Sequence, residues 1–244
     1  MRVAVVTGGY QGIGGDIAAA FRKSQFHVIA ADLRYGGARD VQQGVWGMDV
    51  TALSDCEALA EAALQVFGRL DAWVNTAGIF PRASVLDTTD ELWDRVIDTN
   101  LKGTFHGVQA AARAMRTRAQ GSIINIGSLH SYAGAPEVFA YAVAKGGILT
   151  LTRNAARSLA RYNIRVNCVN PGWVATPGEV GLRESEGRSP TWLEDEGQKL
   201  PLGRLQTGED IAAAVVFLAS DAASQITGQV IAVDGGLGLG SALQ

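Results

Sequence analysis

The opening sixteen residues constrain the fold more than any other stretch of the chain. Arg2-Val-Ala-Val-Val-Thr7 is short, apolar and valine-rich, the pattern of a buried strand. Thr7-Gly-Gly-Tyr-Gln-Gly-Ile-Gly14 follows, and then the helical pattern Asp16-Ile-Ala-Ala-Ala-Phe21. Strand, glycine-rich turn and helix together form a phosphate-binding layout, because a helix N-terminus offers free N–H groups and the positive end of its dipole. Gly8, Gly12 and Gly14 let the backbone turn tightly and approach a pyrophosphate with no Cβ in the way. Such a turn alone is a weak signal, since methyl-donor enzymes also carry it.

The rest of the chain alternates strand and helix. Phe26–Ala31 reads as the second strand and ends at Asp32. An acid there can take the hydroxyls of an adenine ribose and would repel a 2′-phosphate, which favours NAD over NADP. Arg34 works against that preference, because an arginine nearby can bind the phosphate. Val45–Met48 is a third strand, and Asp49-Val50 after it can meet the adenine edge. A helix over 52–67 leads to the strand Leu70–Asn75, and the small residues of Asn75-Thr-Ala-Gly78 permit close passage of a cofactor. A long helical region from Thr89 to about Arg118 carries Asn100 near its middle, where asparagine is tolerated if its amide bridges to backbone or water. The strand Ser122–Gly127 leads to Ser128, a helix runs on to about Tyr162, and Ile164–Asn170 forms a sixth strand that breaks at Pro171-Gly172. Residues 174–203 change character and read as a substrate lid; a helix over Gly208–Ser220 and a last strand within Thr227–Gly235 close the chain. This pattern predicts a single α/β domain over 1–244: a doubly wound Rossmann fold, its seven-stranded parallel sheet covered by helices on both faces. Ligands then bind at the carboxyl ends of the strands.

Composition excludes several functions. A net charge of −3 gives no reason to expect a nucleic-acid or membrane-surface partner. Cys56 and Cys168 are far apart, without metal-ligand neighbours, and read as buried thiols of a reducing compartment. No apolar run suits a signal peptide or spans a bilayer, so a soluble cytoplasmic protein is expected.

Tyr141 and Lys145 stand four residues apart in a run with helical spacing, which puts both on one helix face. A free tyrosine titrates at about 10, and a cation within reach lowers that value, so the pair is expected to exchange a proton near neutrality. Ser128, at a strand end, can hydrogen-bond the oxygen that the tyrosine serves. The plain alternative is an amphipathic helix with a buried tyrosine and a snorkelling lysine.

Taken together, these residues resemble the short-chain dehydrogenase/reductase family over nearly the whole chain. Thr7-Gly-x-x-x-Gly-x-Gly14, Asp49, Asn75-Thr-Ala-Gly78, Asn100, Ser128, Tyr141-x-x-x-Lys145 and Pro171-Gly-x-x-x-Thr176 stand in the family's order. Thr76 replaces an asparagine usual in that loop, Gly127 stands where the family often has another serine, and Gln11 lacks the charge frequent in NADP-using members. The resemblance implies that Tyr141 is the general acid/base, that Lys145 lowers its pKa and holds the nicotinamide ribose, and that Ser128 orients the substrate oxygen. Asn100 would hold a water linking Lys145 to solvent. The implied NAD site comprises Gly8, Gln11, Gly12, Ile13, Gly14, Asp32, Leu33, Asp49, Val50, Asn75, Ala77, Gly78, Tyr141, Lys145, Pro171, Gly172, Val174 and Thr176, without a metal. The reaction implied is a secondary alcohol plus NAD⁺ to a ketone or lactone plus NADH, or its reverse.

For the substrate, His130, Trp173, Glu179, Arg183 and Trp192 place hydrogen-bonding groups beside indoles, which suits a sugar, sugar acid or polyol. The competing expectations are a 3-oxoacyl-thioester reductase using NADPH and a non-catalytic dinucleotide sensor. The family also implies a homotetramer, with Ala110–Ala114 and Leu149–Arg153 on the contacting helices.

Overall fold

The computed structural model describes residues 1–239. Its strands are β1 (Arg2–Thr7), β2 (Phe26–Ala31), β3 (Arg39–Asp40), β4 (Val45–Trp46), β5 (Ala72–Asn75), β6 (Gly121–Ile126), β7 (Ile164–Pro171) and β8 (Val230–Val233). They form one sheet in the order β3-β4-β2-β1-β5-β6-β7-β8. All neighbours pair in parallel except the two-residue β3, which runs antiparallel to β4 at the edge. The seven parallel strands match the sequence expectation, and β3 adds a short antiparallel edge strand that no alternation in so brief a segment announces.

The helices are α1 (Gly12–Lys23), α2 (Leu53–Phe67), α3 (Asp90–Val96), α4 (Gly103–Met115), α5 (Phe139–Leu159), α6 (Pro177–Ser185), α7 (Trp192–Gly197) and α8 (Gly208–Ala219). Two apolar layers follow from the period of the strands. On β1, Val3 and Val5 face a core shared with α2 and α4, whereas Ala4 and Val6 face one shared with α1 and α8. A strand buried on both faces needs an unbroken apolar run, as its sequence has. Ile17 and Phe21 of α1 are fully buried, and each side chain of that size contributes about 1.5–3 kcal/mol through burial.

Between α3 and α4 the helix widens into a π-helical segment, Ile97–Lys102, with Asn100 inside it. Asn100 is fully buried, and its Nδ2 donates to the carbonyls of Val96 and Ile79, both at 3.0 Å. The amide thus bridges the helix to the loop after β5. The alanine run expected at a subunit contact is spent elsewhere: Ala110, Ala111 and Ala114 are buried in the chain's own core, as is Leu149. The exposed apolar residues of α4 and α5 are Phe105 and Val143. Among the described residues, no helix is long and apolar enough to cross a membrane.

Candidate active site

The chain leaves β1 toward β2 on one side and returns to β5 on the other, so the strand order reverses at β1 and opens a crevice beyond the carboxyl ends. A cleft of about 1730 Å³ occupies that place. Its floor is the glycine turn before α1. Gly8 and Gly12 have positive φ, and a Cβ on Gly14 would stand 2.2 Å from the Gly8 carbonyl oxygen, so the turn closes only with glycine there. The first turn of α1 holds no acidic residue, which leaves its N-terminal amides free of a competing carboxylate.

Ser128, Tyr141 and Lys145 converge on the cleft from β6 and α5. Ser128 follows β6 and caps the next short turn, accepting the His130 amide at 3.2 Å. Its hydroxyl also stands near enough to Tyr141 to favour the phenolate. Lys145 is buried and donates from Nζ to the Ile126 carbonyl at 2.8 Å. Its Nζ lies 5.4 Å from the centre of the Tyr141 ring. A Cβ on Gly78 would stand 2.4 Å from Asn100 Oδ1 and 3.9 Å from Lys145 Nζ, which places those two groups around one point.

The electrostatics differ from the expectation of an acidified phenol. Burial pushes Tyr141 up to about 12, with the Ser128 hydroxyl acting in the opposite direction. Burial also pulls Lys145 down to about 8. The ammonium spends a hydrogen on a backbone carbonyl, and in this state burial is the larger influence on the phenol.

Of the residues singled out from sequence, all but two line the cleft. Asn75 is buried, and its amide joins a chain in which Trp73 Nε1 donates to Asn75 Oδ1 (2.8 Å) and Asn75 Nδ2 donates to Asn125 Oδ1 (2.8 Å). It fixes the base of the loop rather than facing the cleft. Trp192 is also buried, packed with Leu200, Leu205 and Trp173 under the segment 174–203. Trp173, Glu179 and Arg183 do line the cleft, but they are engaged with one another. Trp173 Nε1 donates to Glu179 Oε1 (2.9 Å), and Arg183 donates to Glu179 (2.8 Å) and Glu186 (2.9 Å).

Phe80 was missed from sequence, since a loop residue has no periodicity to reveal it. Its ring meets Tyr141 edge-on at 4.6 Å and stacks toward His130 at 6.1 Å. Burial holds the His130 imidazole below its ordinary pKa, so the cleft wall beside Tyr141 is aromatic and tends to neutrality.

The residues present fit a dinucleotide. The Gly14 cradle would be filled by any side chain, and Thr76 Oγ1 is buried at the cleft without a protein partner. Asp32 turns its carboxylate onto its own turn, accepting the Arg34 amide at 3.0 Å, while the Arg34 guanidinium lies over the Tyr10 ring at 5.5 Å.

A doubly wound sheet that ends in a glycine cradle beside a half-buried tyrosine and a buried lysine defines a nicotinamide-dependent oxidoreductase of the Rossmann class. The sequence profile of a family described as enoyl-(acyl carrier protein) reductase matches residues 8–238. The 2-(S)-hydroxypropyl-CoM dehydrogenase 3 of Xanthobacter autotrophicus is 39% identical, with 96% of each chain covered. The 3-oxoacyl-[acyl-carrier-protein] reductase of Thermotoga maritima is 35% identical, with 97% of each covered. Among solved structures, the aldohexose dehydrogenase of Thermoplasma acidophilum is 29% identical with a TM-score of 0.90, covering all of this chain and 96% of that one. The chain therefore belongs to the short-chain dehydrogenase/reductase family, and it is an NAD(P)-dependent oxidoreductase acting on CH–OH groups and their ketones.

The expectation of NAD, drawn from Asp32 and Gln11, is corrected by these comparisons. ElxO, 28% identical with a TM-score of 0.86 over 96% of this chain and 98% of that one, was solved with NADP bound. A variant of actinorhodin polyketide ketoreductase, 31% identical with a TM-score of 0.86 over 97% of each chain, holds NADPH. The physical reason lies beside Asp32: its Oδ1 accepts the Arg34 amide, and the Arg34 guanidinium two residues on stands where a 2′-phosphate can be met.

Proposed function

We propose that this protein interconverts a secondary alcohol of the sugar, sugar-acid or polyol class and its ketone, with NADP(H) as the hydride carrier. The observation that carries the chemistry is the convergence of Ser128, Tyr141 and Lys145 at the ends of the central strands. The bound dinucleotide supplies the hydride. Tyr141 exchanges the proton at the substrate oxygen, and Ser128 hydrogen-bonds that same oxygen to orient it. A phenol near 12 is fully protonated at neutral pH, so the resting site is set to deliver a proton to a forming alkoxide. Lys145, still mostly charged below its pKa of about 8, favours the phenolate that this transfer leaves behind. Arg34 recognises the 2′-phosphate, for which its guanidinium is already stacked on Tyr10.

Replacing Arg34 with Ala is expected to weaken NADPH binding about tenfold, as befits one charge-assisted contact at an exposed site. Affinity for the dinucleotide lacking that phosphate should stay constant. Fluorescence titration with each dinucleotide measures both; equal losses would remove the phosphate role.

The sugar-class reading is supported by the likeness to aldohexose dehydrogenase and by His130 and Glu137 in the cleft wall. The segment 174–203 acts as its lid, bridged to the opposite wall by Arg82 and Glu186 at 3.3 Å. A homotetramer, with Phe105 of α4 and Val143 of α5 covered between copies, completes the reading. The second reading is a 3-oxoacyl-thioester reductase, which the Thermotoga maritima relative and the cofactor correction favour. The acidic character of the lid, with Glu194, Asp195 and Glu196 in succession, weighs against docking an acidic carrier protein. A screen of NADP(H) turnover across aldoses, sugar acids, polyols and 3-oxoacyl thioesters separates the two. Turnover on the hydroxylated ligands is expected, and rates on thioesters alone would overturn the assignment.

A further inference from the structure

We infer that Asn170 is a positioning residue for Ser128, and that Gly127 is small because Asn170 fills the space its side chain would take. The inference rests on the role given to Ser128 above.

Asn170, at the end of β7, is fully buried and lies outside the cleft lining. Nothing about it can touch a substrate. Its partners nevertheless form a donor chain that ends on Ser128. The Cys168 thiol donates to Asn170 Oδ1 at 3.4 Å, and Asn170 Nδ2 donates to Ser131 Oγ at 3.1 Å. The Ser131 hydroxyl in turn donates to the Ser128 carbonyl oxygen. The Ser131 amide reaches that same carbonyl at 3.1 Å. Ser128 is thus held by two donors on its backbone oxygen and by the His130 amide on its Oγ. With Oγ accepting from the His130 amide, the Ser128 hydroxyl keeps its hydrogen to donate toward Tyr141 and toward a substrate oxygen placed beside it.

Gly127 explains why this support comes from the neighbouring strand. In the register of β6 and β7, Ile126 faces Val169 and the Gly127 amide donates to the Val169 carbonyl at 2.8 Å, which brings Gly127 alongside Asn170. A Cβ on Gly127 would stand 2.0 Å from Asn170 Oδ1 and 2.9 Å from Cys168 Sγ. The family often has a serine at that position, and the asparagine excludes one here. A side chain from β7 therefore takes over the space and the hydrogen bonding beside the Ser128 backbone.

The test uses steady-state kinetics with NADPH and the fastest carbonyl or alcohol from the screen, together with NADPH fluorescence titration. Asn170→Ala is expected to lower kcat about tenfold, with KM and NADPH affinity changed by less than about twofold, since it loosens the orientation of one group without touching either ligand. Ser131→Ala, a change at a partly exposed loop residue that leaves the core intact, should give the same loss. The double variant should be no worse than either single one, because both remove one chain of contacts. Gly127→Ser is expected to be more damaging than Asn170→Ala, and Gly127→Ser combined with Asn170→Ala should recover activity over Gly127→Ser alone. An unchanged kcat in Ser131→Ala, multiplying losses, or no recovery in the combined variant overturns the positioning role. Ser128→Ala is the control that tells the two failures apart. If it leaves kcat intact, the role of Ser128 falls and this inference with it; if it abolishes turnover, any of the outcomes above bears on Asn170 alone.

Discussion

Tyr141→Phe should reduce turnover about a thousandfold while leaving NADPH affinity within about threefold of the parent, as expected when a general acid/base is removed and binding is not. The phenol oxygen is the only part removed, and the ring that Phe80 meets edge-on at 4.6 Å remains in place. The fold should therefore survive, and the lost contact with the Ser128 hydroxyl should cost no more than about 1 kcal/mol of stability. Single-turnover rates with NADPH, read beside a binding titration, separate the two effects. A variant that binds NADPH and still turns over at a tenth of the parent rate would show that another group supplies the proton. His130 is one candidate, its ring centre 6.3 Å from that of Tyr141. Retention of binding with loss of turnover would also set aside a dinucleotide sensor, for which the phenol has no task.

Much of this site was legible because it lies at strand ends, and strand ends are marked in the sequence by where apolar runs stop. Gly8, Asp32, Asp49, Ser128 and Pro171 were all found that way, and all of them line the cleft. Asn75 was misplaced through a neighbour on the adjacent strand, which a single sequence does not give, and the role of Asp32 turned on a bond within its own turn. Asn75 stands at a strand end like the others, but Trp73 and Asn125 consume its amide. Asp32 has the right position for a ribose, yet its Oδ1 accepts the Arg34 amide. The pairing of Glu179 with Arg183 was within reach of the sequence, since residues four apart on a helix face each other, and their ion pair at 2.8 Å is that spacing realised. The burial of Trp192 against Leu200 and Leu205 was not, because both leucines lie beyond the short helix α7 that Trp192 opens, where no helical spacing links them to it. Asn100 was noticed as an unlikely helix residue, and the π-helical widening around it is the local price of that placement.

Replacing Lys145 with Met is expected to abolish turnover and yet stabilise the ligand-free protein at neutral pH. Lys145 is 5% exposed, and burial lowers its pKa from 10.5 to about 8. A shift of that size corresponds to about 3 kcal/mol of unfavourable burial of the charged form. Methionine of similar length removes the charge, and the Ile126 carbonyl left without its donor costs back about 1 kcal/mol. The net gain of about 2 kcal/mol should raise the melting temperature by several degrees in a chain of this size. Between pH 8 and 10.5 the unfolded lysine keeps its proton while the folded one has released it, so the unfolded state binds more protons and the parent protein gains stability as pH rises. The advantage of the methionine variant should therefore be full below pH 8 and shrink toward pH 10. Thermal melts of the two proteins across that range measure it. A variant less stable than the parent at pH 7, or a gap that stays constant up to pH 10, would mean that the ammonium is better solvated than its burial implies. The expected opposition between stability and turnover at one residue is what a catalytic cation in an apolar wall requires: the desolvation that makes Lys145 costly to bury is also what lets its charge act strongly on the neighbouring phenol.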